Sequence, residues 1–333
     1  MINYGRHYID ANDIKAVDRV LKSDHLTQGK TVDEFEERLA DYVGAKFCVA
    51  VNSGTAALHL AVKVLNNISP LKTGYTSANT FIASANCMYY ERIKVKFADI
   101  DLTSYNMLPP SHYDVVIAVH FAGLPLDYKM DGLVIEDAAH ALGAQGVGSC
   151  QDSQMVCFSF HPVKTITTGE GGAITTCNYN YYQELKELRS HGVNHVGYNY
   201  RMPDVNAGLG ISQLAKVDKF VDRRKEIFQR YNEVFKEIIK TPVYSDKSAC
   251  HLYVAWFEER DKMRQYLLDN GIGTQIHYQP TYKQRQYGIY QGKCKNAELY
   301  SQHALSLPLY PAMTEKDIKN VIEKVKSGIN SIN

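Results

Sequence analysis

Ser159-Phe160-His161-Pro162-Val163-Lys164-Thr165-Ile166-Thr167-Thr168-Gly169-Glu170-Gly171-Gly172 is the stretch on which the fold turns. It starts inside a short apolar run, Val156–Phe160, sets one lysine among small hydroxyl residues, and closes on glycines. An apolar run of that length reads as a buried strand, and the segment after it as a loop at the strand's end. Most lysines are solvated surface groups. A lysine enclosed in a small-residue, partly apolar loop can have a lowered pKa and serve as a nucleophilic amine for a Schiff base. The glycines after it suggest tight backbone approach.

Outward from this loop, similar apolar runs recur at Lys46–Val51, Val95–Ile100, Asp114–His120, Leu133–Asp137 and Ala173–Thr176. Helical patterns such as Thr55–Leu65 lie between some of them. Continuous apolar strands alternating with helices predict a mostly parallel sheet covered on both faces. From residue 204 the apolar positions recur at helical intervals, and a charged helix is expected over about Lys216–Ile239, a spine between two domains. Beyond it, His251–Trp256 and Thr274–Tyr278 read as strands, Asp261–Asn270 as a helix closed by Gly271, and Thr314–Ile329 as a last helix with a capping box from Thr314 to Asp317. The expected division is a large α/β domain over 1–220, including the N-terminal segment, and a small α+β domain over 221–333 with its linking helix.

Two further motifs sit where strands end. Asn52-Ser53-Gly54-Thr55-Ala56-Ala57 joins a strand to a helix. Free N–H groups at that helix start, with the Ser53 and Thr55 hydroxyls, can hold a phosphate; an ordinary N-cap and tight turn would look the same. The spacing is neither a Walker loop nor GxGxxG. Val134-Ile135-Glu136-Asp137-Ala138-Ala139-His140 puts a carboxylate at the C-terminal end of a buried strand, where open α/β sheets place ligands. A carboxylate capping the next loop is the plain alternative. Asp and His are also metal ligands, but no third ligand stands at a telling spacing, so no metal is expected. One cofactor uses all three motifs. Pyridoxal 5'-phosphate needs a phosphate cup, an acid opposite the pyridine nitrogen and a lysine for its aldehyde. Cup, aspartate, lysine is also the chain order of an aspartate-aminotransferase-like sheet, the fold type I arrangement.

Composition narrows the classes. The 333 residues carry 37 Lys plus Arg against 36 Asp plus Glu, a formal net charge of +1, which argues against a general nucleic-acid binder. Seven cysteines with no CxxC pair fit reduced thiols in a cytoplasmic protein. No signal-peptide core and no apolar run of membrane-spanning length is present.

These residues make the chain resemble the DegT/DnrJ/EryC1/StrS family of sugar aminotransferases. The resemblance also rests on Leu26-Thr27-Gln28-Gly29, Thr80-Phe81-Ile82-Ala83-Ser84-Ala85-Asn86, Phe97-Ala98-Asp99-Ile100-Asp101, Arg189-Ser190-His191-Gly192 and Gly197-Tyr198-Asn199-Tyr200-Arg201-Met202. It implies a role for each matching position. Lys164 would be the Schiff-base lysine and proton shuttle, and Asp137 the partner of the protonated pyridine nitrogen. His140, where family members often carry Gln, would meet the cofactor's phenolic oxygen. Phe81 would stack on the ring; Gly54, Thr55, Ala56 and Ser159 would serve the phosphate. Asn199 would reach the phosphate site of a neighbouring subunit, because the family's active sites are shared across a homodimer. Arg201, His277 and Tyr278 are candidate substrate contacts.

The resemblance implies amino transfer from an amino acid, L-glutamate, to a nucleotide-linked 4-keto-6-deoxy sugar. His251-Leu252-Tyr253, the stretch Gly271–Tyr282 and Ser306-Leu307-Pro308-Leu309 favour a UDP-linked N-acetylhexosamine aminated at C4, a step toward pseudaminic acid and surface polysaccharide. A GDP- or dTDP-linked keto-sugar is the alternative. A sugar dehydratase is disfavoured, because that branch has His at the lysine position; a regulatory relative is disfavoured by the complete cofactor set. The chain is short for the family, with the trimming expected around Ile68–Gly74 and Leu102–Gly132.

Overall fold

The computed structural model describes residues 1–194, 196–288 and 294–332. Helices α1 (Ala11–Leu21) and α2 (Lys30–Val43) lead into β1 (Phe47–Val51), α3 (Gly54–Ile68), β2 (Thr73–Ser77), α4 (Ala83–Tyr90) and β3 (Lys94–Ala98). Strands β4 (Val115–Val119), β5 (Leu133–Asp137), β6 (Met155–Ser159) and β7 (Gly172–Thr176) complete one sheet. Its order is β1-β7-β6-β5-β4-β2-β3. β7 runs antiparallel to β1 and β6, and the remaining pairs are parallel. The C-terminal ends of β1, β4, β5 and β6 therefore share one edge, and β7 starts there. The sheet is the expected α/β, mostly parallel one.

Strands β1, β4 and β6 are apolar along nearly their whole length because both faces of the sheet are covered there. In β6, Val156 and Phe158 join a core with α2, α6 (Asp204–Leu214) and the start of α7 (Val217–Phe235), after α5 (Tyr179–Arg189) has packed on the other side. Met155 and Cys157 face the opposite core, with α3 and α5. This period-two division is what a buried strand imposes on its side chains.

α7 joins two cores. Val217, Phe220 and Val221 belong to the first; Ile227, Phe228, Tyr231 and Phe235 belong to a core with β8 (Tyr253–Trp256), α8 (Arg260–Asp269), the strand that follows α9 (Lys295–His303), and α10 (Glu315–Ile332). Thr314 and Asp317 make the expected reciprocal cap of α10: the Thr314 hydroxyl accepts from Asp317 N at 3.1 Å, and Asp317 Oδ2 accepts from Thr314 N at 2.9 Å.

Three expectations need correction. Thr274–Tyr278 is not a strand. It makes one bridge, Gln275 to Ser306, and the partner of β8 is β9 (Ala304–Leu307). Four buried residues continuing directly from a helix give no separate sequence signal. The spine helix ends at Phe235, four residues before Ile239. Thr73 and Gly74, expected at the edge of a trimmed loop, lie in β2 between β3 and β4. That strand reads TGYTS, too polar to show as an apolar run. Gly74 is required there, since a Cβ would run into Met88 Sδ and lie 2.9 Å from Val115 Cγ1. Within Leu102–Gly132, among the described residues, no α-helix lies between β3 and β4 or between β4 and β5.

Candidate active site

The shared strand edge opens into a cavity of about 780 Å³. Three of its features come from the sheet itself. The first is the turn after β1. Ser53 caps α3, its Oγ accepting from Ala56 N at 3.1 Å. Ser53, Gly54 and Thr55 line the cavity, while Ala56 is buried beneath the turn with its N–H already engaged. The backbone is packed without slack. A Cβ on Gly54 would lie 2.8 Å from Ser159 Cβ, and one on Gly172 would lie 2.5 Å from the Ser53 carbonyl. The close approach expected from the glycine cluster is therefore an approach to this turn. β1 is held from behind by a buried pair, Glu36 and Arg189: Glu36 accepts from Ala50 N at 2.8 Å, and Arg189 donates to Ala50 O at 2.9 Å and to Glu36.

The second is Asp137, at the end of β5 and 6% exposed. Its Oδ2 accepts from Ser84 Oγ at 2.7 Å and its Oδ1 from Ala139 N at 3.1 Å. Ser84 sits 2.7 Å from the Thr80 hydroxyl, so a chain of hydroxyls leading from the preceding loop into α4 orients the carboxylate. The third is Lys164. Its loop is closed by Thr168 N donating to Phe160 O at 3.0 Å and Phe160 N donating to Gly171 O at 2.9 Å. Asn206 of α6 pins it from outside, donating to Thr168 O at 2.7 Å. Burial pulls the Lys164 ammonium down to about 8; Asp137 opposes that and Arg224 adds to it. Among the described residues no side chain accepts a hydrogen bond from its Nζ.

Other candidate residues divide into two groups. Phe81, His140, Ser159, His277 and Tyr278 line the same cavity as Lys164 and Asp137. Phe81 is 55% exposed, an unusual state for a large apolar ring, and lies 6.2 Å from the Tyr278 ring. His140 is buried, with Nε2 3.3 Å from the Tyr278 hydroxyl. His277 Nδ1 is 2.8 Å from Ser306 Oγ, and its pKa is pushed down to about 3 by burial and by Lys164. Asn199 and Arg201 do not line the cavity of their own chain. Asn199 is exposed, its carbonyl accepting from Asn52 Nδ2 at 3.3 Å, and Arg201 bridges to Val51.

Sequence reasoning missed Tyr4, Ser84 as the partner of Asp137, and His251. Ser84 stood inside a motif already quoted, and Tyr4 carried no pattern at all. Among the described residues there is no group of three or more His, Cys, Asp or Glu arranged to hold a metal ion. None of their helices is long and apolar enough to cross a membrane. All seven cysteines are free.

The donor set fits pyridoxal phosphate. A helix start with small residues and hydroxyls suits the phosphate, a buried carboxylate with its own donors suits a protonated ring nitrogen, and a lysine with a lowered pKa suits an aldehyde. Comparison with known proteins agrees. The model of the DegT/DnrJ/EryC1/StrS aminotransferase family matches residues 7–326. A UDP-4-amino-4,6-dideoxy-N-acetyl-beta-L-altrosamine transaminase of Campylobacter jejuni is 36% identical over 378 residues, covering 98% of this chain and 99% of that relative. The alignment has more positions than this chain has residues, so the relative carries segments that are absent here. The structure of Helicobacter pylori PseC, an aminotransferase involved in the biosynthesis of pseudoaminic acid, is similar with a TM-score of 0.91 at 28% identity over 99% of both chains. Spr1654 from Streptococcus pneumoniae in its PLP form has a TM-score of 0.92 at 26% identity, covering 100% of this chain and 99% of that one. The family match begins before α1 and ends within α10, and the chain therefore belongs to the DegT/DnrJ/EryC1/StrS aminotransferase family.

Proposed function

We propose that this aminotransferase binds pyridoxal 5'-phosphate and moves an amino group from L-glutamate to C4 of a UDP-linked 4-keto-6-deoxy-N-acetylhexosamine. One observation carries the reading: Lys164, Asp137 and the Ser53–Thr55 turn, far apart in sequence, line one cavity. The name of the Campylobacter relative supports the sugar and the carbon, and that of the Helicobacter protein supports the pathway.

The bound cofactor would supply an electron sink for the carbon that loses its proton. The chain's own residues do the rest. Gly54, Thr55 and Ser159 hold the phosphate with backbone N–H groups and hydroxyls. Asp137, oriented by Ser84 and the Ala139 N–H, would pair with the protonated ring nitrogen. Lys164 Nζ would hold and move the proton that the substrate carbon loses, a task suited to an amine with a pKa near working pH. Phe81 would cover one ring face, His140 would meet the phenolic oxygen, and Asn199 of a second copy would complete the phosphate site in a homodimer.

The test has two steps. Purified protein mixed with pyridoxal phosphate should develop the visible absorbance of a lysine-bound cofactor, and Lys164→Ala should abolish it. The pyridoxamine form is then offered UDP-, GDP- and dTDP-linked 4-keto-6-deoxy sugars. Reoxidation by the UDP-linked N-acetyl sugar supports the proposal; preference for a GDP or dTDP sugar replaces the substrate, and absence of any lysine-bound cofactor overturns the whole reading.

A further inference from the structure

The N-terminal segment crosses from the small sheet's side of the molecule to the lysine loop. Ile2 bridges in parallel to Ile272, its N–H donating to Gly271 O at 2.8 Å and its carbonyl accepting from Gly273 N at 2.7 Å. Leu309 N donates to the Tyr4 carbonyl at 3.1 Å. Gly5 then lies against Val163, next to Lys164: a Cβ there would be 3.5 Å from Val163 Cβ. The strap is thus fixed through its main chain on both sides of Tyr4.

Tyr4 lines the large cavity. Its ring packs on His277, centroids 5.4 Å apart, and its hydroxyl has no hydrogen-bond partner among the described residues. Among the described residues that line the cavity, Tyr4, Gln275, His277 and Gln279 form a wall with no lysine or arginine of its own. The phosphate turn and Asp137 come from the sheet edge instead, so this wall is left for the substrate. A dicarboxylate donor is read best by charged donors. A neutral phenol and side-chain amides suit the hydroxyl, carbonyl and amide groups of a sugar. Burial raises the Tyr4 phenol above its ordinary value, which keeps it protonated at working pH.

We propose that Tyr4 is a specificity-determining residue, its hydroxyl hydrogen-bonding the sugar of the nucleotide-linked acceptor and making no contact with the amino donor. This rests on the nucleotide-sugar reading above. A polar group placed to meet a substrate group discriminates through the cost of leaving that partner unpaired.

The experiment uses holoenzyme with Tyr4→Phe and Tyr4→Ala. Two half-reactions are followed by cofactor absorbance: glutamate converting the enzyme to its pyridoxamine form, and the UDP-linked 4-keto sugar converting it back. Binding of UDP-N-acetylglucosamine is measured separately by calorimetry. Tyr4→Phe should leave the glutamate half-reaction within about twofold, and weaken both the sugar half-reaction and calorimetric binding about tenfold, the scale of one hydrogen bond. Tyr4→Ala should weaken the sugar side at least as much. If the wild type reacts with the sugar and Tyr4→Phe matches it in both sugar measurements, the Tyr4 assignment is wrong while the function stands. Equal losses in both half-reactions would also overturn it. If the wild type uses no nucleotide sugar, the function and this inference fall together.

Discussion

The imidazole of His140 stacks on that of His251, ring centroids 4.5 Å apart and planes 29° from parallel. Both rings are buried, and in each the Nδ1 atom has no hydrogen-bond partner. Desolvation pushes both pKa values well below the ordinary histidine range, and the groups facing the pair add to it: Lys164, His277 and Arg224. Arg224 donates to the His251 carbonyl at 3.0 Å, so the backbone of this stack is fixed independently of its rings.

Two stacked imidazoles cannot both accept a proton beside a lysine and an arginine. We expect His140 and His251 to stay neutral as pH falls through the ordinary histidine midpoint of about 6.5, which should be missing for both. Proton NMR of the ring C–H signals, assigned with His140→Gln and His251→Gln, checks this. A normal titration of either ring would show that the pair is open to water.

Lys164 gives the opposite kind of prediction. Its folded pKa of about 8 lies below the ordinary 10.5, so the neutral amine becomes available as pH rises through 8. Labelling of the cofactor-free protein by an amine-selective reagent should show a midpoint near 8 that Lys164→Ala removes. Asp137→Asn deletes a carboxylate that raises the lysine, so the midpoint should move lower. An upward shift would mean that the two groups do not face each other in solution.

The sheet and the lysine loop were legible because buried strands and small-residue loops leave strong local patterns. Asp137 and Lys164 were readable for the same reason, each standing directly after an apolar run. What escaped has a common cause. Tyr4, Ser84 and His251 matter through contacts with residues far along the chain; Ser84 and His251 stood inside recognisable motifs, but a motif does not name its contact partners, and nothing beside Tyr4 marks it. β2 and β9 escaped through local composition, one being polar and the other fused to a helix. Asn199 and Arg201 stood in a recognisable motif, yet neither lines the cavity of its own chain.

Gly172 tests the backbone fit. Its Cβ would stand 2.5 Å from the Ser53 carbonyl and 2.7 Å from Gly54 N, both main-chain atoms that cannot swing aside. Gly172→Ala should cost about 1–3 kcal/mol, as overpacking does, and push the turn away from Ser159. Urea unfolding should detect the first effect and pyridoxal phosphate titration the second, with cofactor affinity down at least tenfold. Gly146→Ala is the comparison for cofactor binding: nothing lies within 4 Å of its Cβ position, so it should lose stability through its φ of 80° alone and leave cofactor affinity unchanged. If Gly172→Ala bound cofactor as tightly as the wild type, the turn would be softer than its packing indicates.

Glu91 links the turn's helix to the helix that carries Ser84. It follows α4, and its carboxylate accepts from Lys63 and Asn66 of α3 at 3.1 and 3.2 Å and lies 3.1 Å from His59 Nε2. Burial disfavours the charge, but His59, Lys63 and Asn66 together outweigh it and hold the carboxyl down at about 2, against an ordinary 4.5. A depressed carboxyl pKa contributes stability that is fully present above the unfolded value and is lost as pH falls through the folded one. The window is therefore about pH 4.5 down to 2, and the contribution above it is about 3 kcal/mol. Glu91→Gln keeps the shape and removes the charge. It should be less stable than the wild type by up to that amount at pH 7, and the gap should narrow as pH drops below 4.5. Urea unfolding of both proteins at pH 7 and pH 3 decides it. A gap of the same size at both values would assign the loss to packing and not to the ionised carboxylate.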